Sequence, residues 1–198
     1  MKNFKFRRLT SLLFLEVTFF FFFNLFHLNL HSFPVNTQTS GRIGEVVLKK
    51  IEPFVYFSLK KKGSFDIIDT IINQLIESAR SQNVYPAGPL LTLFHGDLTS
   101  IDPENMEWEV GFPVTPQALI QAPLERKVWE FSLVVSCVHI GPFEKIGETI
   151  QKMLEWMEVN GYVQVGPLVE RSIEAEPSKF RPENLYVELW IPCKKKTE

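Results

Sequence analysis

Two glutamates stand at matching places in two stretches that read almost alike. Glu109 lies in PENMEWEVGFPV (103–114) and Glu188 in PENLYVELWIPC (182–193). Alternation along an extended strand sends Trp108, Val110 and Phe112 to one face and Glu107, Glu109 and Gly111 to the other. In the second stretch Val187, Leu189 and Ile191 oppose Tyr186, Glu188 and Trp190. The first sets are uniformly apolar and must face a core, which leaves each glutamate at the centre of the opposite face. Rings supply area and attract cations, and a carboxylate in partly apolar surroundings supplies counter-charge. The chemistry on offer is capture of a lipophilic cation or a polar aromatic compound. A single exposed glutamate is more simply a solvated surface residue. Recurrence at the centre of both copies favours a site, or a structural hydrogen bond kept by symmetry.

The echo extends well beyond these strands. Gly63 recurs as Gly141 and Gly88-Pro89 as Gly166-Pro167, each 78 positions on, whereas Pro103 recurs as Pro182 and Pro113 as Pro192, 79 positions on. The second copy therefore carries one extra residue before its last strand. A repeat of this length is a supersecondary module, and two such modules can bury their apolar faces around a pseudo-twofold axis.

The elements that position the glutamates follow from pattern and punctuation. The stretch 46–60 reads as extended, broken by Pro53 ahead of a strand at 54–60. After a turn at Gly63, Ser64 or Asp66 caps a helix whose Ile68, Ile71, Ile72, Leu75, Ile76 and Ala79 share one face, ending at Gln82-Asn83. Strands are expected at 90–95 and 106–114. The second copy repeats the order: a strand at 129–140, a helix at 143–159 with Ile146, Ile150, Met153, Leu154 and Met157 on one face, a stop at Asn160-Gly161, and strands at 168–173 and 185–193. Each unit is strand, helix, strand, strand, spanning about 45–114 and 129–194, with 115–127 as a linker. The fold class is α+β, with two helices on one face of a mostly antiparallel sheet and a ligand groove on the other. Parity puts Val55, Phe57, Leu59, Leu133, Val135 and Cys137 on the helix side. Tyr56, Ser58, Lys60, Ser136 and Val138 are left for the groove.

Composition narrows the classes. Among 198 residues, Lys plus Arg number 21 against 23 Asp plus Glu, so the net charge of −2 offers no broad basic surface and no direct nucleic-acid partner is expected. Cys137 and Cys193 stand far apart and read as small buried hydrophobes, with no disulfide framework. His95 and His139 are single residues at strand ends with no carboxylate or cysteine at ligand spacing, so neither a metal nor another cofactor is expected. The tail Lys194 to Lys196 reads as a solubilising end.

Residues 1–44 form a separate region in this reading, and 45–198 the domain. Lys2, Lys5, Arg7 and Arg8 precede an apolar run at 12–30 containing five consecutive phenylalanines, the order of a secretory leader. Glu16 interrupts the run, and no small-residue cleavage site follows it. Three alternatives stand side by side: a leader, an anchor, or a start assigned too early with translation beginning near Val46. The domain is cytoplasmic if the start is misassigned and exported or membrane-anchored otherwise; a membrane is a partner only if the segment is a real anchor.

HIGPFEKIGETIQKMLEWMEVNGY (139–162), VGPLVER (165–171) and the closing PENLYVELWIPC resemble the GyrI-like, or AraC-type effector-binding, domain family over about 45–194. The resemblance implies two strand-helix-strand-strand units with a pocket between them, and small-molecule binding, often of bulky or cationic compounds. It places the family's ligand-contacting acid on Glu188, with Glu109 as its symmetry mate. The binding candidates are Glu188, Glu109, Tyr186, Trp190, Tyr56 and Glu170. After Gly166-Pro167 the family often reads Glu-x-Tyr, whereas here Arg171 and Ser172 follow Glu170, so one aromatic wall is missing. Regulators that use this domain also carry a helix-turn-helix, a pattern residues 1–45 do not show.

Three functions are open on this reading. The favoured one is a stand-alone module binding a small hydrophobic or cationic ligand. The second is a hydrolase of strained cyclopropane rings in polycyclic natural products, resembling some stand-alone relatives. In it Glu188, with Glu109 or Tyr56, would do acid–base work, and two close carboxylates would raise one pKa. The third is a protein-interaction role like that of gyrase inhibitors, through the acidic loop 170–176.

Overall fold

The computed structural model describes residues 42–96, 105–173 and 185–197. In the first copy β1 (Arg42–Ile43), β2 (Val47–Lys50) and β3 (Phe54–Lys62) precede α1 (Ile68–Ser81), followed by β4 (Leu91–His95) and β5 (Glu107–Val114). In the second, β6 (Glu125–Trp129) and β7 (Leu133–Gly141) precede α2 (Ile146–Val159), followed by β8 (Tyr162–Gln164), β9 (Leu168–Ser172) and β10 (Leu185–Lys195). The apolar run at 12–30 and most of the acidic loop at 170–176 lie outside the described residues. Among those described, no helix is long and apolar enough to cross a membrane.

Helix starts follow the local chemistry. Ser64 Oγ accepts from the Asp66 amide at 3.1 Å, capping a short 3₁₀ turn that runs into α1. Spacings of four residues bury Ile71, Leu75 and Ala79 on α1 and Thr149, Met153 and Met157 on α2. Each residue of the first set has its counterpart 78 positions on. Under α1 lie Phe57, Leu59, Trp108 and Val110. Under α2 lie Val135, Cys137, Val187, Leu189 and Ile191. This is the helix side expected from strand parity. His139 also belongs there, its ring meeting Thr149 Oγ1 at 2.8 Å and the Pro142 carbonyl at 3.2 Å, which makes it a buried structural residue.

The described strands pair antiparallel in the order β1-β7-β10-β9-β4-β5-β3-β6, with β2 also on β7 and β8 on β10. The two halves join where β4 meets β9. Thr92 is there the partner of Glu170, its own counterpart 78 positions on, so the pseudo-twofold axis passes between these two residues.

The edges differ from expectation. The end of the expected linker is a strand, β6, which crosses from the second copy to pair with β3 of the first. Reciprocally, β2 of the first copy pairs with β7 of the second. Each unit therefore lends an edge strand to the other. Local sequence hides this because the borrowed strands are short and largely exposed, without the apolar alternation of a half-buried strand.

Gly111 marks a close approach. A Cβ built there would stand 2.1 Å from the Phe57 carbonyl oxygen and 3.0 Å from Ser58 Cβ, so β3 lies against β5 only because this residue has no side chain. Gly147, at the start of α2, has open space around the same position. We predict that Gly111→Ala destabilises by at least ~2 kcal/mol, because backbone must move, and that Gly147→Ala stabilises by about 0.5 kcal/mol. Urea unfolding of both variants measures the contrast; equal effects would contradict the close approach.

Candidate functional site

Each glutamate closes a polar ring on the face opposite the helices. In β5, Glu109 is only 1% exposed. Ser58 of β3 donates to its Oε2 at 2.5 Å and Lys127 of β6 at 2.6 Å. His95 Nε2 meets Oε1 at 2.8 Å, and the Tyr56 hydroxyl lies 3.5 Å from the same oxygen. An ionised carboxylate only accepts, so the proton of this imidazole contact sits on Nε2. In β10, Glu188 receives Ser136 of β7 at 2.8 Å and Lys49 of β2 at 2.9 Å on Oε1, while Arg171 of β9 pairs with Oε2.

The repeat dictates most of this chemistry. Ser58 and Ser136 are counterparts 78 positions apart, and so are Lys49 and Lys127. Each lysine reaches the glutamate of the other copy, because it rides on the borrowed edge strand. The third partner breaks the symmetry, with His95 on one side and Arg171 on the other.

An unpaired buried carboxylate costs several kcal/mol, so these donors are what permit the burial. Burial pushes Glu109 up, but His95, Lys127 and Ser58 outweigh it and hold the carboxyl at about 2. For Glu188, burial again pushes up, and the Trp190 indole, Lys49, Ser136 and Arg171 bring it below its ordinary value. The Trp190 N–H lies near enough to favour that carboxylate, but among the described residues it completes no hydrogen bond. Burial, then the charge and hydrogen bond of Glu109, push the Tyr56 hydroxyl well above its ordinary value. The expectation that one carboxylate would raise the pKa of the other is thus corrected. Each glutamate is ringed by donors and cations and held ionised.

Between the rings lies an aromatic cluster rather than an open trough. Tyr56, Leu91, Leu93, Trp129, Val134, Val169 and Trp190 are buried together, with Ile51, Phe54 and Phe131 packed on them. Trp129 stands 6.0 Å from Trp190 and 5.0 Å from Phe131, centroid to centroid. Ile51 and Phe131, from the connectors at 51–53 and 130–132, and Phe54 at the start of β3 supply the cover. Beside the first ring, His95 helps line a depression with Gly96, Gln164, Val165, Gly166 and Pro167. The imidazole thus joins the buried carboxylate to a hollow in the surface.

The sequence candidates divide accordingly. Tyr56, Glu109, Glu188 and Trp190 come together on this face, as parity required. Tyr186 shares their side of its strand but stands 40% exposed at the rim. Glu170 does not join them. It alternates with Val169 of the aromatic cluster and shares the side of Leu168, which packs in the core under α2. Burial there pushes its carboxyl up to about 7. His95 carries no local signal in the sequence because its carboxylate lies across the β4–β5 pairing, and Lys49 and Lys127 are legible only as a 78-residue pair.

Two opposite pH dependences follow. Glu109 titrates below its ordinary value of 4.5, so its ring stabilises the fold above that pH and the contribution is lost as pH falls toward about 2. Glu170 titrates above it, so stability is fullest below 4.5 and declines as pH rises through about 7. We predict that Glu109→Gln costs about 3 kcal/mol at neutral pH and flattens the acid limb. Glu170→Gln should raise the melting temperature above pH 7. Thermal melts from pH 2 to 8 check both, and wild-type slopes in both variants would refute the assignments.

Comparison with solved structures places this architecture among known folds. The C-terminal domain of EcmrR superimposes with a TM-score of 0.67 at 19% identity, covering 77% of this chain and 99% of that domain. In the EcmrR–DNA complex the TM-score is 0.68 at 18% identity over 77% of this chain, and the match spans only 58% of the EcmrR chain. A hydrolase from Listeria innocua matches with a TM-score of 0.54 at 15% identity, covering 76% of this chain and 92% of its own. SAV2435 bound to tetraphenylphosphonium matches at 0.50 and 11% identity, covering 76% and 94%. At these identities the likeness is one of fold. No curated protein matches the chain. The family model for the GyrI-like small molecule binding domain matches residues 44–194, and with the doubled fold around two buried glutamates the chain belongs to that family.

Proposed function

We propose that this protein binds a small aromatic molecule on the sheet face opposite its helices, between the Glu109 and Glu188 rings. The observation that carries this reading is the aromatic cluster itself. Trp129, Trp190 and Tyr56 gather at the junction of the two copies, covered by two short connectors instead of a helix. Parting the 51–53 and 130–132 connectors would expose ring faces flanked by fixed polar groups, the composition of a ligand pocket. Tetraphenylphosphonium, bound by SAV2435, is a ligand of this aromatic character and supports the same reading here.

A hydrolytic role for the same residues has weaker support. General acid catalysis wants a group that titrates near the working pH. Glu109 and Glu188 are held ionised, and Tyr56 is held protonated.

The test is hydrogen–deuterium exchange on the full-length chain, with and without stabilising compounds from a thermal-shift panel of aromatic cations, flavonoid-like molecules and cyclopropane-bearing natural products. Protection should rise in β3, β5, β7, β10 and the two connectors and stay unchanged in α1 and α2. Protection confined to the helices would sink the proposal. Mass spectrometry of the recovered compound separates binding, which returns it unchanged, from hydrolysis, which adds one water.

A further inference from the structure

The two rings are not electrically alike, and the difference bears on ligand charge. Around Glu109 the permanent cation is Lys127, which is shared with Glu125 at 3.2 Å. Around Glu188 stand two, Lys49 and Arg171. Both also lie over the Trp190 ring, with Arg171 at 4.2 Å and Lys49 at 5.4 Å from its centroid. An incoming organic cation would have to displace a resident one from both carboxylate and ring. Trp190 Nε1 is meanwhile buried beside the Glu188 carboxylate but completes no hydrogen bond among the described residues, so the group left wanting is a donor. Arg171 and Lys49 keep 24% and 43% of their side-chain surface exposed, so the cluster of donors reaches solvent.

Resting on the binding role proposed above, we infer that the second ring selects an aromatic oxyanion, such as an arene carboxylate. The anionic group would lie between Arg171 and Lys49, accept from Trp190 Nε1, and leave its ring against the aromatic cluster. The guanidinium offers the paired donors that match a carboxylate, and the indole supplies a third. Glu188 would then act as an internal competitor, holding the two cations in place in the empty state and repelling the ligand in part.

That competition gives a sign that separates this reading from cation capture. Calorimetric titration of the full-length chain with 2-naphthoate, 2-naphthamide and tetraphenylphosphonium is the experiment. Naphthoate should bind about tenfold more tightly than the neutral amide, the worth of a charge-assisted contact. Arg171→Gln should erase that preference, and Trp190→Phe, which keeps a ring but loses the N–H, should weaken naphthoate several-fold. Glu188→Gln should strengthen naphthoate binding, whereas a carboxylate that serves as counter-charge for a cation predicts weaker binding of tetraphenylphosphonium. Equal affinity for acid and amide, or binding of the cation alone, overturns the inference and leaves the binding role standing. Failure of all three probes counts against both. Should Glu188→Gln not fold, the wild-type ligand series and Arg171→Gln still decide.

Discussion

An ionised carboxylate with almost no exposure has to be surrounded by donors, and in this protein that requirement organises the sheet. Glu109 and Glu188 are buried at the centres of the two copies, each holding a serine from the neighbouring strand and a lysine from further out. Neither lysine comes from the glutamate's own copy. The exchange of β2 and β6 between the halves serves this need, since a short, exposed edge strand gains little from apolar burial but delivers a cation to a charge that could not otherwise leave water. A pseudo-twofold built from two separate modules could slide or part. One whose halves neutralise each other's buried charge is tied together at both edges as well as at the β4–β9 seam.

The same arrangement shapes what the two glutamates can do. A glutamate free to face a cationic ligand would keep an open coordination shell, whereas these two are already filled by resident groups. On the binding role proposed above, ligand capture would be a matter of exchange. A ligand entering there would replace a lysine or an arginine, or else satisfy the donors that remain. The aromatic cluster between the rings is closed by Ile51 and Phe131 of two connectors and by Phe54 of β3, so opening costs their contacts. On the proposed role, selectivity would arise from that cost, because only a ligand with enough ring area repays it.

Three carboxylates also show how position alone divides one residue type. Glu109 and Glu188 lie among donors and stay ionised, while Glu170, at the axis and on the helix side, is driven toward neutrality by burial. Its partner across the axis is Thr92, so the symmetry that pairs the other functional residues leaves this charge at a singular point.

Much of this was determined by the sequence alone. Strand parity assigned Phe57, Leu59, Trp108, Val110, Val187, Leu189 and Ile191 to the helix side, and Tyr56, Glu109, Glu188 and Trp190 to the other, because a period of two leaves no freedom once one face is apolar. The 78-residue offset announced the twofold, and the motifs of the second copy announced the family. Only the tertiary structure decided what surrounds the glutamates. The lysines come from short, exposed strands that cross between copies, His95 reaches Glu109 across a strand pairing, and Glu170 meets Thr92 at the axis because β9 pairs with β4 in a register that no single strand encodes. Local pattern fixes which way a side chain points, but which partners meet it is set by long-range pairing, and that depends on how two repeats close on each other.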